Sequence, residues 1–234
     1  MRGTIVTLGG GGFSMSEDGS SAIDDFLLEL CGKDLPRVCF IPTASGDSES
    51  YASRFEAAFD GRAVTSVLSL FGGLRDYGDP MSVGEQDLIY VGGGSTANLL
   101  ALWRLHGLHS SLRSAAAGGT ILAGISAGMN CWFEESSTDS FGPLAPLSDG
   151  LSFLPGSACP HYRGEPGRRD KYLGWVAEGV LQEGYAVDDH VALVFRDGEL
   201  AEAVSERPEG RAFHVSRDGD GALESELGVR RLIA

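Results

Sequence analysis

Short apolar runs that end in glycine clusters constrain this chain more than any other feature. Thr4–Leu8 runs into Gly9-Gly10-Gly11-Gly12, Leu88–Val91 into Gly92-Gly93-Gly94, and Thr120–Ala123 into Gly124 and Gly128. A fourth run, Arg37–Ile41, ends in Pro42-Thr43-Ala44-Ser45-Gly46. Helical patterns lie between and around them, at Ser20–Leu30, Ser50–Phe59, Thr96–Leu105 and Leu108–Ala117. Strands that alternate with helices close into a parallel sheet. The fold class is therefore α/β: a mostly parallel central sheet with helices on both faces, a three-layer α/β/α sandwich. Ligands in such sheets bind outside the carboxyl ends of the strands, where these glycine loops converge.

The second half is less regular. Residues 133–160 form a polar stretch with Ser, Gly and Pro that is expected to wrap near the site. Arg168–Leu181 reads as a helix, Tyr185–Phe195 as one or two strands, and Arg196-Asp197-Gly198-Glu199 as a hairpin turn. Leu200–Ser205 returns from that turn, and Ala212–Ser216 is a further strand. No linker or repeat divides the chain, so residues 1–234 are expected to form a single domain.

Charge narrows the partners. With 33 acidic against 18 basic side chains the net charge is −15, a field that repels nucleic acid and anionic membranes. Neither is an expected partner. Cys31, Cys39, Cys131 and Cys159 show no Cys-x-x-Cys spacing and fit reduced thiols better than a disulfide scaffold. The run before the first glycine cluster is too short for a signal-peptide core, and no run reaches membrane-spanning length. A cytoplasmic location is the expectation.

Gly124-Ile125-Ser126-Ala127-Gly128 follows an apolar run and precedes residues able to start a helix. A serine on such a nucleophile elbow after a central strand has its Oγ pushed out of the backbone, and only small neighbours fit around it. The helix start adds N–H groups for a developing oxyanion. As a string, Gly-x-Ser-x-Gly is also common in ordinary loops.

A serine nucleophile needs a base. His106 and His109 end a helical pattern, where surface capping suffices. His161, in Cys159-Pro160-His161-Tyr162, follows an apolar segment and a proline that restricts the backbone. His214 alternates with Phe213 and Val215 as a half-exposed strand residue would. Asp188 and Asp189 lie between apolar strand segments, where a pair of acids is either partnered or a solvated turn. Asp139 is a second candidate for the acid that orients the base. The Gly92–Gly94 loop has no phosphate-loop lysine, and Gly9–Gly12 lacks the last glycine of the dinucleotide fingerprint. Oxyanion donors from Gly93, Gly94 and Ala127 explain these glycines more simply. His106-x-x-His109 is the one close histidine pair and has no further ligand at metal spacing. No metal or cofactor is expected.

Taken together, Gly9–Phe13, Phe40–Gly46, Tyr90–Leu100, Gly124–Gly128 and Pro160-His161-Tyr162 resemble the peptidase E and cyanophycinase family of serine peptidases, which have a class I glutamine-amidotransferase-like fold. The resemblance runs through nearly the whole chain. It implies Ser126 as nucleophile and His161 as base, with oxyanion donors from the Gly93/Gly94 loop and Ala127. The chain departs from the family at two points. Ser95 replaces the Asn of the usual Gly-Gly-Gly-Asn-Thr, which bears on substrate contacts. Asp189 stands where the family usually has a glutamate, one methylene longer. Relatives include dipeptidases that prefer an N-terminal aspartate, and an acidic substrate side chain would need a cation. Arg163, Arg168 and Arg169 are candidates for it, with helix-surface charge as the alternative.

The expected activity is a serine-type dipeptidase acting on small peptides, as a monomer or a homodimer. Two rivals stay open. One is an α/β-hydrolase-like esterase built on Ser126, Asp188 or Asp189, and His214. The other is a non-catalytic ligand-binding member of the same fold.

Overall fold

The computed structural model describes residues 2–73 and 75–233. Fourteen strands are found among them: β1 Thr4–Leu8, β2 Arg37–Ile41, β3 Val64–Val67, β4 Leu88–Val91, β5 Ile121–Ile125, β6 Phe133–Thr138, β7 Ala145–Leu147, β8 Leu154–Cys159, β9 Gly184–Val187, β10 Val191–Arg196, β11 Glu199–Ser205, β12 Ala212–Asp218, β13 Gly221–Glu226 and β14 Val229–Arg231. The α-helices are α1 Ala22–Leu30, α2 Glu49–Phe59, α3 Thr96–Leu105, α4 Leu108–Ala117, α5 Ala127–Asn130 and α6 Arg168–Glu178.

The main sheet has the order β14-β11-β10-β1-β5-β4-β2-β3. Its centre is parallel, β1 with β5, β5 with β4, and β4 with β2, while β10 joins β1 antiparallel. Side chains alternate across it, as the pleat requires. On β2, Val38 and Phe40 enter one apolar cluster with Ile23 and Phe26 of α1 and Phe55 of α2. Cys39 and Ile41 enter another with Leu99 and Trp103 of α3 and Leu112 of α4. Helices thus cover both faces, the three-layer arrangement of an α/β/α sandwich.

The stretch 133–160 departs from the expectation. It is not an irregular wrap: it holds β6, β7 and β8, part of a second sheet ordered β13-β12-β9-β8-β6-β7. Its strands lack an apolar run, because β6 reads Phe-Glu-Glu-Ser-Ser-Thr and carries a register irregularity against β8. Phe133, Leu154, Ala158, Val187 and Ala212 of this sheet share the cluster of Ile5 and Trp103, so tertiary packing, not local propensity, makes them strands. The helix expected over Arg168–Leu181 ends earlier, at Gly179 in the left-handed region (φ 72°).

A carboxylate of α1 is buried in this core. Asp24 of α1 is fully covered, its Oδ2 accepts the Phe13 N–H at 2.5 Å, and its Oδ1 has no partner among the described residues. Burial pushes its carboxyl from the ordinary 3.8 up to about 7. An acid with a higher pKa folded than unfolded binds more proton in the folded state between the two values. Its cost to stability is therefore absent at about pH 4 and below, grows as pH rises, and is complete above about pH 7. Asp24→Asn is expected to raise the melting temperature at pH 8 by about 2–4 °C or more, against a smaller change at pH 5. Thermal melts at the two pH values check it; an equal shift at both would mean the carboxyl is ionised throughout.

Candidate active site

The parallel strands β1, β5 and β4 are neighbours, so their glycine loops emerge at one edge of the main sheet. Ser126 lies at the end of β5, half-buried, with φ 56° and ψ −110°. Few non-glycine residues adopt that conformation, and holding it costs about 1–3 kcal/mol. The Ser126 N–H donates to the Leu8 carbonyl (3.0 Å), and its carbonyl accepts from the Asn130 N–H (2.9 Å). The flanking glycines follow from contact. A Cβ on Gly124 would stand 2.1 Å from the Gly128 carbonyl oxygen, and one on Gly128 would stand 2.5 Å from that of Val91. The turn closes only where both are bare.

His161 and Asp189 come from the second sheet. β8 and β9 are parallel neighbours with Cys159 opposite Ala186, so the residues just beyond their ends emerge side by side. Backbone bonds tie these ends to each other and to the β1 loop: Tyr162 N–H to the Val187 carbonyl (3.1 Å), His161 N–H to the Gly9 carbonyl (3.1 Å), and a bridge between Gly10 and Asp189. His161 Nε2 then lies 2.8 Å from Ser126 Oγ, and His161 Nδ1 lies 2.6 Å from Asp189 Oδ1. An ionised carboxylate only accepts, so Nδ1 carries the hydrogen and Nε2 is left to accept from the serine hydroxyl. The backbone closes in tightly on both sides of the Asp189 carboxylate. A Cβ on Gly10 would be 2.0 Å from Asp189 Oδ1, and one on Gly164 would be 2.4 Å from Oδ2.

The oxyanion candidates divide. Gly93 packs on Ser126, with its Cβ position 3.4 Å from the Ser126 Cβ, but its N–H donates to the Tyr51 hydroxyl at 3.3 Å. Tyr51 is also 2.7 Å from Ser14 Oγ, and burial pushes its phenol above the ordinary range, keeping it a neutral donor. Gly94 has φ 136°, and a Cβ there would meet the Ala44 carbonyl oxygen at 2.2 Å. Ala127 opens α5, whose four residues are too few for a sizeable macrodipole, so any effect at its N–H is local.

Other expected side chains are placed elsewhere. Ser95 caps α3 by accepting the Asn98 N–H (3.3 Å). Asp139 is exposed on the turn after β6, where its carbonyl accepts from the Gly142 N–H; the carboxylate at His161 is that of Asp189. Asp188 faces away and accepts from the Arg163 N–H (3.2 Å), Nε (2.8 Å) and Nη2 (2.5 Å) and from the Arg211 N–H (3.0 Å). Arg163, though exposed, is thus paired with the Asp188 carboxylate. Arg168 is buried, bonding Glu165 (2.5 Å) and, at 3.4 Å, Ser137 Oγ, and Arg169 pairs with Glu224. His214 is not at Ser126. It stands opposite Tyr185 in the second sheet, the rings 5.2 Å apart, which removes the geometric basis of the esterase arrangement. Tyr51, Gly10, Gly164 and Arg211 were not legible as site residues, because each owes its place to a contact distant in sequence. Among the described residues no three His, Cys, Asp or Glu side chains converge as a metal site, and no helix is long and apolar enough to cross a membrane.

Comparison with known proteins agrees with this architecture. The chain is 47% identical over 230 residues to the uncharacterized peptidase YgaJ of Bacillus subtilis (strain 168), covering 97% of this chain and 98% of that one. It is 29% identical over 174 residues to Peptidase E of Streptomyces coelicolor, covering 73% of this chain and 69% of that one. The crystal structure of a peptidase from an acI-B1 Actinobacterium superposes with a TM-score of 0.70 at 17% identity, over 98% of this chain and 95% of that one, a likeness of fold. Residues 5–203 match the sequence model of peptidase family S51, and the chain belongs to that family.

Proposed function

We propose that the protein is a serine-type dipeptidase of the cytoplasm that hydrolyses short peptides through Ser126, His161 and Asp189. The observation that carries it is the continuous line from Asp189 Oδ1 through the His161 ring to Ser126 Oγ, with 2.6 Å and 2.8 Å links. Ser126 Oγ attacks the scissile carbonyl carbon as its proton passes to His161 Nε2. Asp189 fixes the ring tautomer and stabilises the imidazolium. The C–N bond then breaks, with that proton going to the leaving amine. Water, deprotonated by the same nitrogen, attacks the acyl-enzyme, and the proton returns to Ser126 as the ester bond breaks. The N–H groups of Gly94 and Ala127 serve the oxyanion, joined by Gly93 if a substrate displaces Tyr51.

Family membership and the four free thiols support the peptidase chemistry and the reducing compartment. An N-terminal aspartate preference needs a cation near the cleft, and Arg168 is the best placed. It reaches Ser137, whose carbonyl accepts from Asn130 of the helix that follows Ser126. Labelling by a fluorophosphonate probe, lost in Ser126→Ala, tests the nucleophile. Turnover of Asp-x, Ala-x and Arg-x dipeptides tests the preference; indifference among them would discard the aspartate pocket and leave the chemistry.

A further inference from the structure

Asp189 reaches His161 from a segment of three residues between β9 and β10, and that segment is gripped from both sides. On one side Asp188 holds Arg163 and Arg211, as described. On the other, His190 has φ 64°, a left-handed conformation that only a few per cent of non-glycine residues adopt, histidine more often than most. Its N–H donates to the Gly10 carbonyl (2.9 Å), and its carbonyl accepts from the Glu206 N–H (3.1 Å) and the Ser205 hydroxyl (2.9 Å). The imidazole is tied too, with Nδ1 2.7 Å from Glu206 Oε1. Glu206 is anchored in turn: Oε2 accepts from the Ser21 hydroxyl (2.6 Å) and the Ile23 N–H (3.3 Å) at the start of α1. Burial raises the Glu206 carboxyl, but these hydrogen bonds more than offset it and hold the group below the usual carboxylate range.

Without these ties the segment would relax. A left-handed residue persists only where its surroundings over-determine it. If His190 rotated out of that region, the peptide joining it to Asp189 would turn with it. The Asp189 carboxylate would then leave the narrow slot between Gly10 and Gly164. The Gly11 position fits the same account, since a Cβ there would lie 3.0 Å from His190 Cα and 3.1 Å from Glu206 Oε1. This is a fixed seam among the β1 loop, the β9–β10 segment and α1, and neither His190 nor Glu206 hydrogen-bonds to Ser126 or His161 among the described residues.

We infer that His190 and Glu206 are positioning residues for the reaction, a latch from the start of α1 that holds the Asp189 carboxylate against His161. The inference rests on the Ser126–His161–Asp189 reading. It expects Glu206→Ala and His190→Ala to lower kcat about 10- to 100-fold, the scale of a small misplacement in a catalytic site, with KM nearly unchanged. His190→Asn, which tolerates the left-handed conformation and keeps a donor, should recover most of the rate. His190→Gly, which adopts φ 64° freely but has no side chain to tether, stands in should the alanine variants not fold, and the same kcat loss is expected of it. A fall in melting temperature with kcat unmoved would overturn the latch and leave a purely structural pair. A rise in KM alone would overturn it in favour of a substrate-lining role. Ser126→Ala, assayed alongside, separates the two layers: surviving turnover removes the underlying reading, whereas lost turnover with unaffected Glu206 and His190 variants removes only the latch.

Discussion

Ser126→Ala is expected to lower kcat by about 10⁴- to 10⁶-fold, with little change in the melting temperature. The hydroxyl is the only group on the elbow able to form the acyl bond, and water cannot occupy its geometry at the same effective concentration. Alanine keeps the backbone, whose strained conformation (φ 56°) is held by the Leu8 and Asn130 bonds and by the bare Gly124 and Gly128 on either side. His161→Ala should fall to a similar residual rate, because nucleophile and base act as one unit and their losses do not add. Steady-state kinetics of the two single variants and the double variant check this. A double variant much worse than either single one would mean that the two side chains act separately.

Gly10→Ala is expected to lower kcat by about 10²- to 10⁴-fold, approaching the loss seen when a triad acid no longer orients its histidine. Gly10 is not among the positive-φ glycines, so alanine is acceptable to the backbone there and the effect isolates the methyl group. That methyl would stand 2.0 Å from Asp189 Oδ1 and 3.0 Å from the Met15 sulfur. The thioether can move, but the carboxylate is confined by Gly164 on its other side and has to give up His161 Nδ1. The loss should sit in kcat, since Gly10 touches the acid behind the histidine and not the nucleophile. Circular dichroism and a melting curve establish that the variant folds. Wild-type turnover in a folded Gly10→Ala protein would show that the 2.6 Å link between Asp189 and His161 is dispensable.

Much of the main sheet could be read in advance because its elements are locally consistent. β1, β2 and β4 are short apolar runs with glycine or proline punctuation, and α1 to α4 repeat their apolar residues at helical spacing. β6, β7 and β8 of the second sheet escaped notice for the opposite reason. β6 alternates no hydrophobic face, β7 has three residues, and both become strands only where their neighbours bury them. The partners of the arginines were not legible for a related reason. In sequence Arg163 and Arg168 are candidate cations close to a histidine; in three dimensions each has a carboxylate beside it, Asp188 for one and Glu165 for the other. Pairing of that kind is set by the neighbour across the fold and leaves no periodicity to detect.

By itself, the sequence determined the strand–loop–helix order and the position of Ser126 on a turn that only small neighbours permit, since both depend on backbone sterics within a few residues. Only the tertiary structure decided which imidazole and which carboxylate stand beside that serine. His161 and Asp189 lie on parallel neighbours of a different sheet, and their distance to Ser126 follows from register and from three bare glycine contacts at positions 10, 124 and 164. Such distances are properties of packed surfaces, and a string of residues contains them only once it has folded.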